Sequence, residues 1–480
     1  MPSLRMFKFL LLLIVFIFCQ RNEIYSCLVP NRTVYVSSSM GKDSNDGYEI
    51  ERPTNNLQKA IATADTILLK AGDVFYTNTL FIKGKKLSCY ADGKKPVLCG
   101  YKRIIEPCWE LVEKNIWRIN LSVNNYDGLT FNGSSLSNNI GCIHEYDKNV
   151  IHGRKVQYRN LLKDNWDIWQ TEFFHVKDVN SSSFDYLYLY LDNNPNNLCL
   201  EFSVGNSGIV MTNAIIDGIR IEGFGCHGIS AKSNSVVLNC EIDAIGGKTQ
   251  VGYEVFTSLG NGIEFYVSEN ISDCLVENCR ISRCYDCGIS IQGSDCGQAT
   301  PSNICIKNNF IADCCQGWED FLRNDDNVVY DNCSFQNNIV VNSGMTSGFS
   351  YPSRFKYCHV LGNNFKGNRG MIIKNNVFAG GNFYCSSAFE KEYKSNVWID
   401  NVCYIKRGDY ILGNYWGTSD VIRIPLEKGS FKSLKAATKD AISRYRTLTG
   451  DKTTRFVISG ERSLKRKIRK YKHKYENSFS

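Results

Sequence analysis

The stretch VVLNCEI (Val236–Ile242) returns as LVENCRI (Leu275–Ile281), CIKNNFI (Cys305–Ile311) and SFQNNIV (Ser334–Val340). Each copy is a short apolar run, an Asn, an Asn or Cys, and then a β-branched, aromatic or charged residue leading back to apolar sequence. HVLGNNF (His359–Phe365), IIKNNVF (Ile372–Phe378) and VWIDNVC (Val397–Cys403) read as three more copies. The first Asn of each falls at 239, 278, 308, 337, 363, 375 and 401. A strand-like phrase with a period near the high twenties marks a solenoid rather than one globular core. A second phrase accompanies the first: HGIS (His227–Ser230), NGIEF (Asn261–Phe265), CGISI (Cys287–Ile291) and QGWEDF (Gln316–Phe321). Two strands joined by a polar turn, repeated rung on rung, describe a parallel β-helix. Such a coil exposes one long ridged face, suited to an extended polymer.

The cysteines fit this reading. Fourteen of the 21 lie between Cys226 and Cys403, and Cys240 and Cys279 fill the slot that Asn309 and Asn338 fill later. A slot shared by Cys and Asn in stacked rungs predicts an interior ladder in which Cys is a small apolar filler. Disulfides between neighbouring rungs stay open, because stacked strands bring α-carbons near bridging distance. Cys284-x-x-Cys287 has no partner pair at zinc-binding spacing and is not read as a metal site.

Working outward, residues 1–26 read as a secretory signal: Arg5 and Lys8, then an apolar run from Phe9 to Phe18 that is too short to span a bilayer. Cleavage is expected between residues 19 and 27. Cys27 faintly matches a lipid-acylation box, but Arg21 and Glu23 separate it from the apolar run. No other segment reads as membrane-spanning. The expected location is secreted, periplasmic or at the cell surface.

Residues 33–100 read as a cap and the first rungs. The helix Leu57, Ala60, Ile61, Ala64, with Thr54 as N-cap, covers the open end of the coil. Asp43-x-Asn45-x-Gly47 superficially suggests calcium, but the twelfth loop position is Thr54 rather than Glu, so a structural loop is expected. Residues 101–205 break the rhythm with Trp109, Trp117, Trp166, Trp169 and the alternating YLYLYLD (Tyr186–Asp192). They read as an inserted β-rich module whose aromatics either stack on sugars or pack beneath it. Residues 206–430 form the main coil, and 431–480 a helix with Leu434, Ala437, Ala441 and Tyr445 on one side, then a basic tail. The formal charge of +8 comes from the signal (+2) and residues 461–480 (+6), so the body is neutral. The tail is either a solvated end or a contact for an anionic surface, and nothing else points to nucleic acid. A monomer is expected.

YVSSSMGKDSNDG (Tyr35–Gly47), LQKAIATA (Leu57–Ala64), DTILLKAGDVF (Asp65–Phe75), IIDGIRIEGFGCHGIS (Ile215–Ser230) and GNGIEF (Gly260–Phe265) resemble secreted bacterial right-handed parallel β-helix proteins of the pectate-lyase-like superfamily. The resemblance spans roughly 33–450 and implies an all-β, right-handed single-stranded parallel β-helix. Members include polysaccharide lyases, glycoside hydrolases and epimerases, and one fold hosts several chemistries. GNGIEF, YDCGISIQG (Tyr285–Gly293), GWEDF (Gly317–Phe321) and NSGMTSGF (Asn342–Phe349) resemble a subset that places acids in the first and third of these strands. Many members of that subset add a His- and Arg-rich stretch after the fourth. Here FSYPSRFKY (Phe349–Tyr357) keeps Arg354 without a His.

Strand alternation supplies candidate chemistry. With Ile263 and Phe265 inward, Glu264 faces out; the same parity exposes Ser290 and Gln292, and Trp318 as inward anchor exposes Glu319. Two rungs put these carboxylates about 10 Å apart. An inverting glycosidase holds its acid and base roughly 6.5–9.5 Å apart, so Glu264 and Glu319 form a candidate pair. If the strand shifts by one residue, Asp320 replaces Glu319. Both acids could instead simply solvate the face. His227 is a candidate acid, base or hydroxyl ligand, or a plain turn residue; Ser290, Gln292 and Trp318 are candidate sugar contacts. Arg354 would grip a sugar carboxylate. A lyase would need a basic residue, often with calcium, and the outward slots supply Ser, Glu, Ser, Glu and, in the next strand, Thr346. The basic group would come from Arg354, Lys356 or Arg369. The expected activity is therefore hydrolysis of a polysaccharide without a cofactor. Elimination on a uronate polymer, often with calcium, and non-catalytic glycan binding are the alternatives.

Overall fold

The computed structural model describes residues 32–103, 108–120, 140–152, 154–155, 172–177, 184–248, 259–293, 299–322, 329–344, 358–362, 370–381, 383–387, 396–414, 422–425 and 431–476. Three 10-stranded sheets form the body. Sheet 1 runs from Thr33–Val36 to Val397–Ile399, sheet 2 from Val74–Tyr76 to Arg455–Ile458, and sheet 3 from Leu80–Lys83 to Ile422–Arg423. The chain visits them in rotation. Ile271–Glu277, Arg280–Cys284 and Cys287–Gly293 make one coil; Pro301–Lys307, Phe310–Ala312 and Gln316–Leu322 make the next. Pairing is parallel throughout except at Ile422–Arg423, which closes sheet 3 antiparallel. This is the parallel β-helix expected from the repeat.

Its core is built of stacked columns. Val237, Val276, Ile306, Phe335, Ile373 and Trp398 pair in register along sheet 1, and all are buried. The turn from sheet 1 to sheet 2 explains the Asn phrase. Asn239, Asn278, Asn308, Asn337, Asn375 and Asp400 take left-handed backbone with φ between 52° and 59°, a conformation Asn and Asp tolerate better than other L-residues. The next residue turns inward, giving the column Cys240, Cys279, Asn309, Asn338, Asn376 and Asn401, at most 1% exposed. Each Asn Oδ1 accepts the backbone N–H one rung earlier, at 2.9 Å for Cys279, Asn309, Asn338 and Asn376. Each Nδ2 donates to a strand carbonyl, for example Asn338 to Ile306 O at 3.0 Å. The interior ladder is thus a hydrogen-bonded spine, and the described cysteines are free thiols.

Two copies of the phrase were misaligned by sequence. Cys358–Gly362 is a strand of sheet 3, not sheet 1, so HVLGNNF is not a copy. In VWIDNVC, Asp400 takes the left-handed slot and Asn401 the ladder.

Helix α1 (Leu57–Thr63) buries Leu57, Ala60 and Ile61 over the open end. Its N-cap is Asn56, whose side chain accepts from Lys59 N, rather than Thr54. Helix α2 (Phe431–Thr449) packs Ala441 and Tyr445 at the other end, beside Tyr384 and Phe456; Ala437, expected on that side, is exposed. The basic tail is not a loose end: helix α3 (Glu461–Glu476) lays Leu464 and Ile468 on the outer face of sheet 2, with Tyr475 stacked on Phe310 at 4.7 Å. Before it, Arg455–Ile458 contributes a last strand to sheet 2.

Between Val97–Cys99 and Ile209–Thr212 the chain leaves the coil for two smaller sheets, of four and five strands. Trp109 is buried there, and half-buried Trp117 donates Nε1–H to Leu191 O at 3.0 Å, so these two tryptophans are packing residues. Trp166 and Trp169 lie outside the described residues. The module abuts the corner leading into sheet 3, where a Cβ on Gly141 would sit 2.2 Å from Gly246 O. Among the described residues, no helix is long and apolar enough to cross a membrane.

Candidate active site

Each central strand of sheet 3 has a glycine within one residue of its start: Gly228, Gly262, Gly288 and Gly317. A Cβ on Gly262 would meet Gly288 O at 2.5 Å and Ile281 at 2.6 Å, so the tight corner admits only glycine. The corner sets the phase of the strand that leaves it. Ile229, Ile263, Ile289 and Trp318 point inward, fully buried, and the next residue points out. Register pairs Ser230 with Glu264, Glu264 with Ser290, and Ser290 with Glu319. Glu264 and Glu319 therefore share one outward column two rungs apart, a separation of about 9–10 Å.

Outward does not mean solvated: Glu264 is 5% exposed, Ser290 0% and Glu319 6%. The two carboxylates have opposite surroundings. Glu264 is surrounded by donors. Gln292 Nε2 donates to Oε1, and His227 Nε2 lies 3.3 Å from Oε2. The Asn261 N–H donates to His227 Nδ1 at 3.3 Å, which leaves the proton of the neutral ring on Nε2, facing Glu264. Burial opposes charge on this ring, but Cys226 and then Glu264 push it up, to about 9; a second proton must displace the Asn261 bond. Cys226 answers in kind: burial disfavours its thiolate, yet His227 and Ser207 hold it below its ordinary value.

Glu319 is surrounded by acids. Burial first, then Asp286, Asp320 and Glu264, raise its carboxyl well above the usual range. Its Oε2 and the Ser290 Oγ beside it make no hydrogen bond to the protein. Asp286 is pushed up to about 7, by burial and by Glu264, against the pull of His227. Such surroundings favour the protonated form of Glu319.

Three solved structures align with the chain at low identity. XylC in complex with xylose aligns at 15% identity and a TM-score of 0.45, covering 80% of this chain and 70% of that one. A GH136 lacto-N-biosidase from Eubacterium ramulus aligns at 13% identity and 0.41, covering 89% and 67%. Pectate lyase Pel9A aligns at 12% identity and 0.33, covering 82% and 78%. No protein-family model and no curated protein matches the chain.

Four expected site residues, Glu264, Glu319, His227 and Gln292, converge, with Ser290 between the carboxylates. Trp318 does not join them: it is 0% exposed and stacks on Phe335 at 5.0 Å inside the coil, so it cannot touch a sugar. Asp320 does not replace Glu319. It aligns with inward Ile291 and is 1% exposed, and its charge acts on Glu319. Arg354, Thr346, Lys356 and Arg369 lie outside the described residues. Lys232, just past the Ile229–Ala231 strand, is a basic residue that sequence reading overlooked, but its ammonium is held by Tyr266 O at 3.1 Å and by Glu269 at 3.8 Å. Asp286 was also missed. It lies in a turn, where strand parity says nothing; its signal was its position two residues before Gly288, the slot Cys226 holds before Gly228.

Among the described residues, no three His, Cys, Asp or Glu side chains could hold a metal ion. A polar cavity of about 290 Å³ opens elsewhere, over sheet 2 between the inserted module and α3. Its cations are engaged internally: Arg220 and Arg283 with Asp243, and Lys472 with Asp313. Arg283 also reaches Asn149 of the inserted module, so this network ties the layers together.

Proposed function

We propose that this protein is a carbohydrate-active β-helix enzyme, a glycoside hydrolase acting on a polysaccharide. The observation that supports it is the Glu264–Glu319 column: two carboxyls two rungs apart, one supplied with donors and the other crowded by acids. Glu319, which burial and the neighbouring acids bias towards its protonated form, is the general acid and gives its proton to the glycosidic oxygen as the bond breaks. Glu264 is the general base. It takes a proton from the water whose oxygen bonds to the anomeric carbon, while His227 and Gln292 hold its oxygens in place. Water is thereby added across the bond, and the two carboxyls exchange protonation states, to be reset by solvent. The spacing of about 9–10 Å sits at the long edge for inversion, with room for that water.

Elimination fits less well. A lyase must neutralise a uronate carboxylate, and the described centre presents Glu264, Asp286, Glu319 and Asp320 instead of free cations. The test is a reducing-end assay of residues 28–480 on plant, algal and host polysaccharides, with ultraviolet absorbance read in parallel. New reducing ends without absorbance support hydrolysis. An ultraviolet-absorbing, unsaturated product would move the assignment to elimination, and glycan binding without either would leave a binding platform.

A further inference from the structure

Net charge in this chain is concentrated in one element. The body is neutral, and the +6 of residues 461–480 falls entirely on helix α3 (Glu461–Glu476). At 3.6 residues per turn, Leu464, Ile468, Tyr471 and Tyr475 share one face, and that face packs on sheet 2. Arg462, Arg466 and Arg469 fall within about 60° of arc on the opposite face, flanked by Lys470. These four side chains are exposed and make no ion pair among the described residues. Lys472, Lys465 and Lys467 are engaged instead: with Asp313 at 2.6 Å, with Glu461 at 2.7 Å, and over the Tyr404 ring at 4.7 Å. The helix steps across successive rungs of sheet 2, from Tyr404 through Ala379 and Val341 to Phe310. Its outer cations therefore form a stripe about 12 Å long, from Arg462 to Lys470, held along the axis of the coil.

We propose that the outer face of α3 binds an acidic polysaccharide, a linear chain bearing carboxylate or sulfate groups, and tethers the protein to it. Each guanidinium fork can take two oxygens of such a group. The arginines follow one another at steps of about 6 Å and 4.5 Å along the helix, so a polyanion laid along the coil meets one cation after the next. A helix lying in a membrane inserts its apolar side chains among the lipids. Here those side chains already pack on sheet 2, and the exposed stripe holds none. With a neutral body behind it, the stripe also dominates the field that a distant polyanion meets. Glu264 and Glu319 lie on sheet 3, apart from α3, so the tether does not depend on the hydrolase reading.

The experiment compares wild-type residues 28–480 with an α3 variant, Arg462→Gln/Arg466→Gln/Arg469→Gln, and an α2 control, Lys435→Gln/Lys439→Gln/Arg444→Gln. Both variants remove three exposed positive charges from a helix, and glutamine keeps the helix propensity. Circular dichroism and melting check each fold. Native affinity electrophoresis is run with polygalacturonate, alginate or dextran sulfate in the gel, at several salt concentrations and against polymer-free gels. Flotation with vesicles of equimolar phosphatidylglycerol and phosphatidylcholine runs in parallel. Wild type and the α2 control should be retarded alike by an acidic polymer, and less as salt is raised. The α3 variant should lose roughly ten- to hundred-fold in apparent affinity, and the single Arg466→Gln, which serves if the triple variant does not fold, roughly two- to five-fold. Retardation by none of the acidic polymers overturns the proposal, as does undiminished retardation of the folded α3 variants. Equal losses in the α3 variant and the α2 control overturn it too, because net charge and not the stripe would then govern binding. Vesicle flotation that needs the α3 arginines, without retardation by any polymer, would replace the polysaccharide with a lipid surface.

Discussion

Replacing Asn338 with Leu tests the spine that fixes the rung spacing. Asn338 Oδ1 accepts from the Asn309 N–H at 2.9 Å and from Asn309 Nδ2 at 3.0 Å, and its Nδ2 donates to Ile306 O at 3.0 Å and to Asn376 Oδ1 at 3.2 Å. Leucine keeps the volume and removes all four bonds. Asn309 Nδ2 still has Val276 O at 3.1 Å, and Asn376 Oδ1 still receives the Asn338 N–H, so the group stranded outright is the Asn309 N–H, while the Ile306 carbonyl and Asn309 Nδ2 each lose one bond. A buried donor without a partner costs about 1–3 kcal/mol, and the weakened carbonyl and Nδ2 add about as much again. Apolar burial of the leucine returns about 1 kcal/mol, leaving a net loss of roughly 3 kcal/mol. The adjacent Asn337 is the internal control. It holds the left-handed turn at φ 57°, so Asn337→Ala should cost only about 1–2 kcal/mol and Asn337→Gly almost nothing. Urea unfolding followed by tryptophan fluorescence, under reductant, reads all three. A loss in Asn338→Leu no larger than in Asn337→Ala would refute the ladder as a source of stability.

Asp286, raised to about 7, binds its proton more tightly folded than unfolded. Its contribution to stability is complete below about pH 4 and is lost as pH rises through 7. Asp286→Asn should therefore melt above wild type at pH 8 and level with it at pH 4, and calorimetry at both pH values checks this. Gln292→Leu removes the side-chain donor that fixes one oxygen of Glu264; turnover at neutral pH should fall roughly ten-fold while circular dichroism shows the fold unchanged.

Much of the fold was legible because a solenoid repeats its physics locally. The left-handed Asn, the ladder residue behind it and the strand parity after each corner glycine recur coil after coil, so one correct reading propagates. That parity put Glu264 and Glu319 on the same column, and the pairing bears the register out. What was illegible depends on contacts distant in sequence. HVLGNNF has the spelling of a sheet 1 turn, yet the coil reaches it one sheet later. Trp318 was named both as inward anchor and as sugar contact, and only the first can hold in a strand of strict alternation. The basic tail reads as solvated until Phe310 and Val341 provide a surface for Leu464 and Ile468. Asp286 gains its significance from His227 and Glu264, which other coils bring beside it.

The central claim is the division of labour between Glu264 and Glu319, and turnover of Glu264→Gln and Glu319→Gln measures it most directly. On a polysaccharide that the wild type cleaves, each variant, with circular dichroism and melting confirming an intact fold, should lose about 10²–10⁴-fold in kcat. Full activity in either folded variant would contradict the account.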